Sequence, residues 1–362
     1  MTLTAIPIRL APAKGCNCQV CPFYTGNPDA PEPVCSGSNS DCSYCGCART
    51  ESTNPAPTAC GQCSVRCGSR IDIGDWMTDI GGTVAFDDID LGDVALPAKL
   101  PRFTPQVDTK DLTELDADLN WPAYAVGLRR VMSPATGAVL PGYGNAESAH
   151  TALGLSTGQL AVLVGYGTDP HVEMFWTRRH DLIPQLAAMA WDVVLCPNYS
   201  IYGNYPRAEM LINMRRNLAV AQEMRDAGIN AVPNLYWFRL EDLRRYEDWA
   251  LDTDPPAVAV NLQTFRTDHD WDAMAIPGLA YLAGTLPITT DVICTGASRA
   301  DRIGELLELF GSRLHLVGQN ALAYARRGAV MTPAGRQDLN AHAPDAFAAN
   351  VRFYNRLMQG GT

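Results

Sequence analysis

Ten of the chain's twelve cysteines fall between residues 16 and 67, and no other feature restricts its folding as strongly. They are Cys16, Cys18, Cys21, Cys35, Cys42, Cys45, Cys47, Cys60, Cys63 and Cys67. Three Cys-x-x-Cys pairs stand out: Cys18/Cys21, Cys42/Cys45 and Cys60/Cys63. A two-residue spacer lets a tight turn aim both thiolates at one ion, which suits tetrahedral zinc. Cys16, Cys47 and Cys67 each flank a pair two or four positions away. Gly, Pro, Ser and Asn fill the gaps, so the segment cannot bury a core and bound metal would supply its folding energy. Zinc is the first reading, in two four-thiolate sites or one bridged cluster. An iron–sulfur cluster is the second, although the spacing is not the bacterial ferredoxin run. Disulfides are the third, since nothing in the sequence points to secretion.

The formal net charge of −11 argues against a protein that coats nucleic acid by charge alone. The acid is concentrated, however. Residues 71–120 hold twelve Asp or Glu against three Lys or Arg, which is −9 of the −11. The remainder is near neutral and leaves room for a local basic groove. No run approaches the roughly 20 apolar residues of a membrane span, and the first ten residues lack signal-peptide features. The expected compartment is a reducing cytoplasm.

Apolar residues make up 47% of the 362, enough for a packed body behind the cysteine segment. The expected division is a metal-binding module at 1–70, an acidic connector at 71–121 with a short strand at 83–86, and a body at 122–362. In the body, short Val/Ile/Leu runs at 124–131, 160–165, 192–196, 230–233, 257–261, 291–294 and 314–317 alternate with helical patterns. Such alternation implies parallel strands with helical crossovers. Seven strands, with an eighth upstream or near 329–331, predict an α/β fold with a (β/α)8-barrel-like body; an open doubly wound sheet is the alternative. No Gly-x-Gly-x-x-Gly opens the first unit, and no P-loop motif exists anywhere. A final helix at 344–358 carries Phe347, Val351, Tyr354 and Leu357 at helical spacing.

In a barrel the residues just past the strand C-termini form the site. Those positions hold Tyr166, Asn198, Tyr199, Ser200, Tyr202, Asn234, Tyr236, Trp237, Asn261, Gln263, Thr264, Thr295, Ser298, Gln319 and Asn320. Amides offer a donor and an acceptor in one plane, and aromatics offer a stacking face. Together they suit a planar polar ligand such as a nucleobase. Asp169, His171 and Glu173 form the one titratable cluster on this rim and are the candidates for acid–base or nucleophilic work. The pairs Arg178/Arg179, Arg215/Arg216 and Arg244/Arg245 are solvated faces or phosphate contacts.

The stretch 191–237 resembles an uncharacterised family of bacterial and phage proteins with a domain of unknown function. The resembling residues are Asn198, Tyr199, Ser200, Tyr202 and Pro206, then Asn213, Arg215 and Arg216, then 228–234 and Trp237. The resemblance implies a barrel-like body and brings no activity. Where that family tends to carry Asp, this chain has Asn198. More distantly, the body is similar to the tRNA-guanine transglycosylases and their phage DNA-modifying relatives. These are barrels with zinc on a Cys-x-Cys-x-x-Cys run, here Cys16, Cys18 and Cys21, placed before the body rather than after it. Their paired aspartates find a match at Asp169 alone. The expectation is therefore a base-modifying enzyme with structural zinc, in which Asn198, Tyr199, Ser200, Asn234, Trp237, Asn261, Gln263, Gln319 and Asn320 bind the substrate. The alternative is a non-catalytic zinc protein that binds nucleic acid or a partner protein.

Overall fold

The structure, a computed structural model, describes residues 21, 23–30, 33, 35, 66, 72–92, 95–108, 112–116, 119–201 and 205–360. The elements that frame it begin with α1 (Ile73–Asp79), β1 (Phe103–Pro105), β2 (Ala123–Gly127), β3 (Leu160–Val164), α2 (Asp169–Ala188) and β4 (Val193–Leu195). Then come α3 (Arg207–Asp226), β5 (Ala231–Val232), β6 (Asn234–Leu235), α4 (Leu243–Thr253), β7 (Ala257–Asn261) and α5 (Ile276–Thr285). The chain closes with β8 (Asp291–Thr295), α6 (Ala300–Phe310), β9 (Leu314–Gly318), α7 (Asn320–Ala325), β10 (Ala329–Thr332), β11 (Gly335–Asp338) and α8 (Ala343–Met358).

The chain divides into two compact units, residues 1–86 with 200–216, and residues 87–199 with 217–362. These limits differ from the compositional boundaries at 70 and 121. The second half of the acidic stretch contains β1, which hydrogen-bonds into a sheet of the larger unit. A parallel strand therefore lies ahead of residue 122, where the body was expected to begin. The alternative position near 329–331 is occupied by β10, which pairs antiparallel with β11.

Within the larger unit the strands form two wholly parallel sheets, ordered β1-β9-β8-β7-β6 and β2-β3-β4-β5. This is the α/β architecture expected from the alternating pattern. β2, β3 and β7 are buried at every position. Strands covered on both faces read as continuous apolar runs, which is why the sequence revealed them. One core cluster draws on both sheets and includes Ala125, Val162, Leu195, Val232, Ala259, Ile293 and Val317. Pro233 alone separates β5 from β6; it has no N–H to give a ladder. Gln106, next after β1, forms a bridge with Ala125 of β2, and the Val107 N–H donates to the Ala125 carbonyl at 2.7 Å. In α8 the buried stripe runs through Phe347, Val351, Tyr354 and Met358; Met358 takes the inward place expected of Leu357.

Cys294 lies in β8 and Cys196 follows β4, and both are fully buried, as small hydrophobes would be. Burial pushes the Cys294 thiol up to about 12, and it pushes Cys196 up further against a small opposing effect of Arg225. The thiolate is the nucleophile. Both residues should therefore stay unmodified when the folded protein meets iodoacetamide at pH 8, as peptide mass mapping would show. Labelling of either at the rate of an exposed thiol would contradict this packing.

In the smaller unit, residues 83–86 form a turn rather than the expected strand, with the Thr83 hydroxyl accepting from the Ala85 N–H at 2.9 Å. Around it, arginines act as internal clamps. Arg66 stacks 3.8 Å over the Trp76 ring and pairs with Glu209 at 2.7 Å, both residues being buried. Arg215 donates to the carbonyls of Ile80 and Ala85, and Arg216 donates to Asn213. Arg215 and Arg216 are thus neither a solvated face nor phosphate contacts.

Candidate functional site

The amides read from the strand ends separate into two groups with different environments. Asn234 in β6 is fully buried; its side-chain oxygen accepts from the Tyr166 hydroxyl at 2.8 Å, and its NH2 donates to Asn198 at 2.8 Å. Burial, reinforced by the neighbouring Cys196 and Cys294, raises the Tyr166 phenol well above its usual range, so it stays a donor. Asn261 ends β7, where its oxygen accepts from the Gln263 N–H at 3.0 Å and the Thr295 hydroxyl at 3.3 Å. Tyr199 is buried edge-on against Trp176 and exchanges hydrogen bonds with Asn217. Trp237 is buried as well; a Cβ at Gly278 would lie 2.4 Å from its indole, so only glycine allows the contact. These groups clasp strand ends to one another. The Asn234 amide, the Asn198 and Asn261 side-chain oxygens and the Tyr166 hydroxyl are used internally, which sets them apart from open base readers.

Gln263, Gln319 and Asn320 behave otherwise. All three line a pocket of about 280 Å³ beyond the C-terminal ends of β7, β8 and β9. Arg266, Ser298 and Tyr354 join them, with Gly296 and Gly318 opening the wall. Gly296 has φ +88°, and a Cβ there would lie 2.6 Å from the Gln263 nitrogen. The left-handed turn and the close approach both require glycine. The Arg266 Nε donates to the Gln263 carbonyl at 3.3 Å. Burial raises the Tyr354 phenol, and an Asn320 hydrogen bond opposes this. The pocket is at the small end of the ligand-site range. Its lining contains amides, a hydroxyl, a phenol and one guanidinium, and no carboxylate, imidazole or thiol.

Asp169, His171 and Glu173 lie in the first turns of α2, directly after β3. Positions i and i+4 share a helix face and i+2 does not, so the helix groups Asp169 with Glu173 and turns His171 aside. Asp169 is exposed. The His171 Nδ1 is 3.4 Å from the Thr168 hydroxyl, and its Nε2 is buried with no hydrogen-bond partner among the described residues. Ser200 belongs to the smaller unit, where its carbonyl accepts from Asn213 at 2.9 Å.

Of the ten cysteines expected to hold metal, Cys21 and Cys35 are described; Cys16, Cys18, Cys42, Cys45, Cys47, Cys60, Cys63 and Cys67 lie outside the described residues. The Cys35 N–H donates to the Phe23 carbonyl at 2.6 Å and its carbonyl accepts from the Thr25 N–H at 2.9 Å. The Tyr24 N–H closes a turn on the Cys21 carbonyl at 3.2 Å. Cys35, distant in sequence from every pair, is thereby tied through its backbone to residues 23–25, just past Cys21. Among the described residues no three His, Cys, Asp or Glu form a metal-ligating group. Nor is any described helix long and apolar enough to cross a membrane.

Sequence reasoning missed a second polar cluster. Asp108, just past β1, is buried; its carboxylate accepts from the Gly127 N–H at 3.2 Å and from the Arg129 guanidinium at 2.6 and 3.1 Å. Its backbone carbonyl accepts from Arg130 at 2.6 Å and Arg326 at 3.1 Å. The adjacent pair Arg129/Arg130 was the available signal, but its partner Arg326 is remote in sequence.

Comparison with known proteins places residues 148–261 in similarity to a family described as a domain of unknown function (DUF4417). The matched span runs from ahead of β3 to the end of β7, less than half of the chain. The resemblance at 191–237 to an uncharacterised family falls inside it. No curated protein matches the chain.

Proposed function

We propose that the chain binds a nucleobase-bearing ligand at its strand ends and modifies the base of a nucleic acid or nucleoside, with zinc held by the N-terminal cysteines. The observation that carries this reading is the pocket at the ends of β7, β8 and β9, where Gln263, Gln319 and Asn320 present amides beside Arg266 and Ser298. Amide pairs can match the edge of a base, and the pocket volume suits a single ring system. A closed eight-stranded (β/α) barrel is the architecture that best joins the two sheets. Pro233 alone divides β5, paired to β4, from β6, paired to β7, and the Gln106–Ala125 bridge links β1 with β2. In such a ring the ends of β3 and β9 open on one mouth, so Asp169 and the pocket would share a ligand.

The reaction is base exchange, in line with the distant similarity to the transglycosylases. The Asp169 carboxylate would attack C1′ and form an ester as the glycosidic bond breaks and the Glu173 carboxyl gives the leaving base its proton; an incoming base then displaces the Asp169 carboxylate and returns its N–H proton to Glu173. The zinc is structural and takes no part in these steps. The backbone bonds that tie Cys35 to Phe23 and Thr25, just past Cys21, support a shared thiolate site there. A second reading is a zinc protein that binds nucleic acid or a partner protein without catalysis; the absence of any carboxylate from the pocket lining favours it. The compartment proposed is cytoplasmic.

Exchange of a radiolabelled base, together with metal analysis of anaerobically purified protein, tests the proposal. The expected results are stoichiometric zinc, a colourless protein, turnover in the wild type, and at least a ~100-fold loss in Asp169→Ala with ligand binding kept. Undiminished turnover in Asp169→Ala would end the assigned role. Binding without turnover would establish the second reading. Iron with visible absorbance would replace zinc by an iron–sulfur cluster.

A further inference from the structure

We infer that the arginine cluster around Asp108 is a phosphate site, so that the natural ligand is a nucleotide, free or within a strand, rather than a free base or nucleoside. The inference takes the nucleobase-bearing ligand from the proposed function and adds the group that anchors it. Three guanidinium groups converge on one residue, but only one is neutralised there. The Asp108 carboxylate is occupied by Arg129, whereas Arg130 and Arg326 both donate to the uncharged Asp108 carbonyl. No side-chain carboxylate accepts from Arg130 or Arg326 among the described residues, and the Arg130 Nε is buried with no acceptor at all. Two positive charges are thus held in place without a side-chain counterion among the described residues, in a chain of net charge −11.

The cluster is also placed for the pocket. Asp108 follows β1, Arg129 and Arg130 follow β2, and Arg326 follows α7, the helix that begins at the pocket residue Asn320. β1 pairs in parallel with β9, Pro105 opposite Gly318, so the cluster and the pocket lie past the C-terminal ends of neighbouring strands. The Arg129 side chain remains 62% exposed and Arg326 is exposed, which leaves N–H groups directed at solvent. A phosphate oxygen supplies the charged acceptor that a carbonyl does not, through the paired N–H geometry that suits guanidinium.

The test is calorimetric titration of the full chain with a nucleoside, its 5′-monophosphate and a short single-stranded oligonucleotide, with inorganic phosphate followed separately by ³¹P line broadening. Wild type is expected to bind the monophosphate or the oligonucleotide about tenfold or more tightly than the nucleoside. Arg326→Gln and Arg130→Gln should erase that preference and the phosphate broadening while leaving nucleoside affinity unchanged. Arg326 is exposed, so Arg326→Gln serves alone if Arg130→Gln does not fold. Preference for the oligonucleotide with a steep salt dependence would place the phosphate in a strand, and preference for the monophosphate would place it in a small ligand. Equal affinity for nucleoside and monophosphate overturns the phosphate site and leaves the base reading standing. If none of the three binds, the base reading fails and the broadening decides the cluster: its loss in Arg326→Gln supports the site, and its absence in wild type overturns it.

Discussion

Replacing Glu209 with leucine is expected to destabilise the fold by about 3–5 kcal/mol. Glu209 is buried on α3, where it accepts from the Arg66 backbone N–H, the Arg66 guanidinium and the Asn213 amide. Arg66 is itself buried and stacked on Trp76, so it cannot swing into water when its partner goes. The cost comes mainly from the buried cation that loses this carboxylate rather than from the net value of the pair. Glu209→Gln keeps the shape and an acceptor oxygen, and it should cost less than Glu209→Leu. Urea unfolding followed by far-ultraviolet circular dichroism measures both; a loss below about 1 kcal/mol for Glu209→Leu would show that Arg66 reaches solvent.

The second large effect is expected at Asn234. Asn234→Leu is close in volume but strands two buried groups, the Tyr166 hydroxyl and the Asn198 side-chain oxygen. Each unsatisfied buried group costs about 1–3 kcal/mol, giving a loss of about 2–6 kcal/mol. A double-mutant cycle with Asn198→Ala should return a coupling of about 0.5–3 kcal/mol, because the two amides bond directly. Strict additivity would mean that the two side chains do not act together. The variant also separates packing from recognition: Asn234 clasps the ends of β3, β4 and β6, so it should lower stability more than ligand affinity.

The strands of the larger unit were legible because buried parallel strands are written as unbroken Val, Ile, Leu and Ala runs, as at Leu160–Val164 and Ala257–Asn261. β1 was not, because Phe103–Pro105 is three residues long and sits between prolines in an acidic stretch. Strand ends also gave the amides Gln263, Gln319 and Asn320 that line the pocket. What they could not give was partnership. Asn198 and Asn234 look like any exposed pair of amides until the fold brings them to 2.8 Å and spends their hydrogen bonds on each other. Gln263, Gln319 and Asn320 look the same in sequence, yet the loops after β7 and β9 turn them into a pocket. Tyr354 reaches that pocket from the last helix, and Arg326 reaches Asp108 from more than two hundred residues away. Contacts at such separations leave no local trace. The cysteine spacing reads as a metal signal, and eight of the ten cysteines expected to hold metal lie outside the described residues.

Amide hydrogen exchange of the full chain, with and without a saturating nucleoside 5′-monophosphate, tests the central claim that the ends of β7, β8 and β9 hold the ligand. Slower exchange is expected at 263–266, 296–298 and 318–320, the loops that supply Gln263, Arg266, Ser298, Gln319 and Asn320. Unchanged exchange in all three loops, with the ligand bound and protection appearing elsewhere, would contradict it.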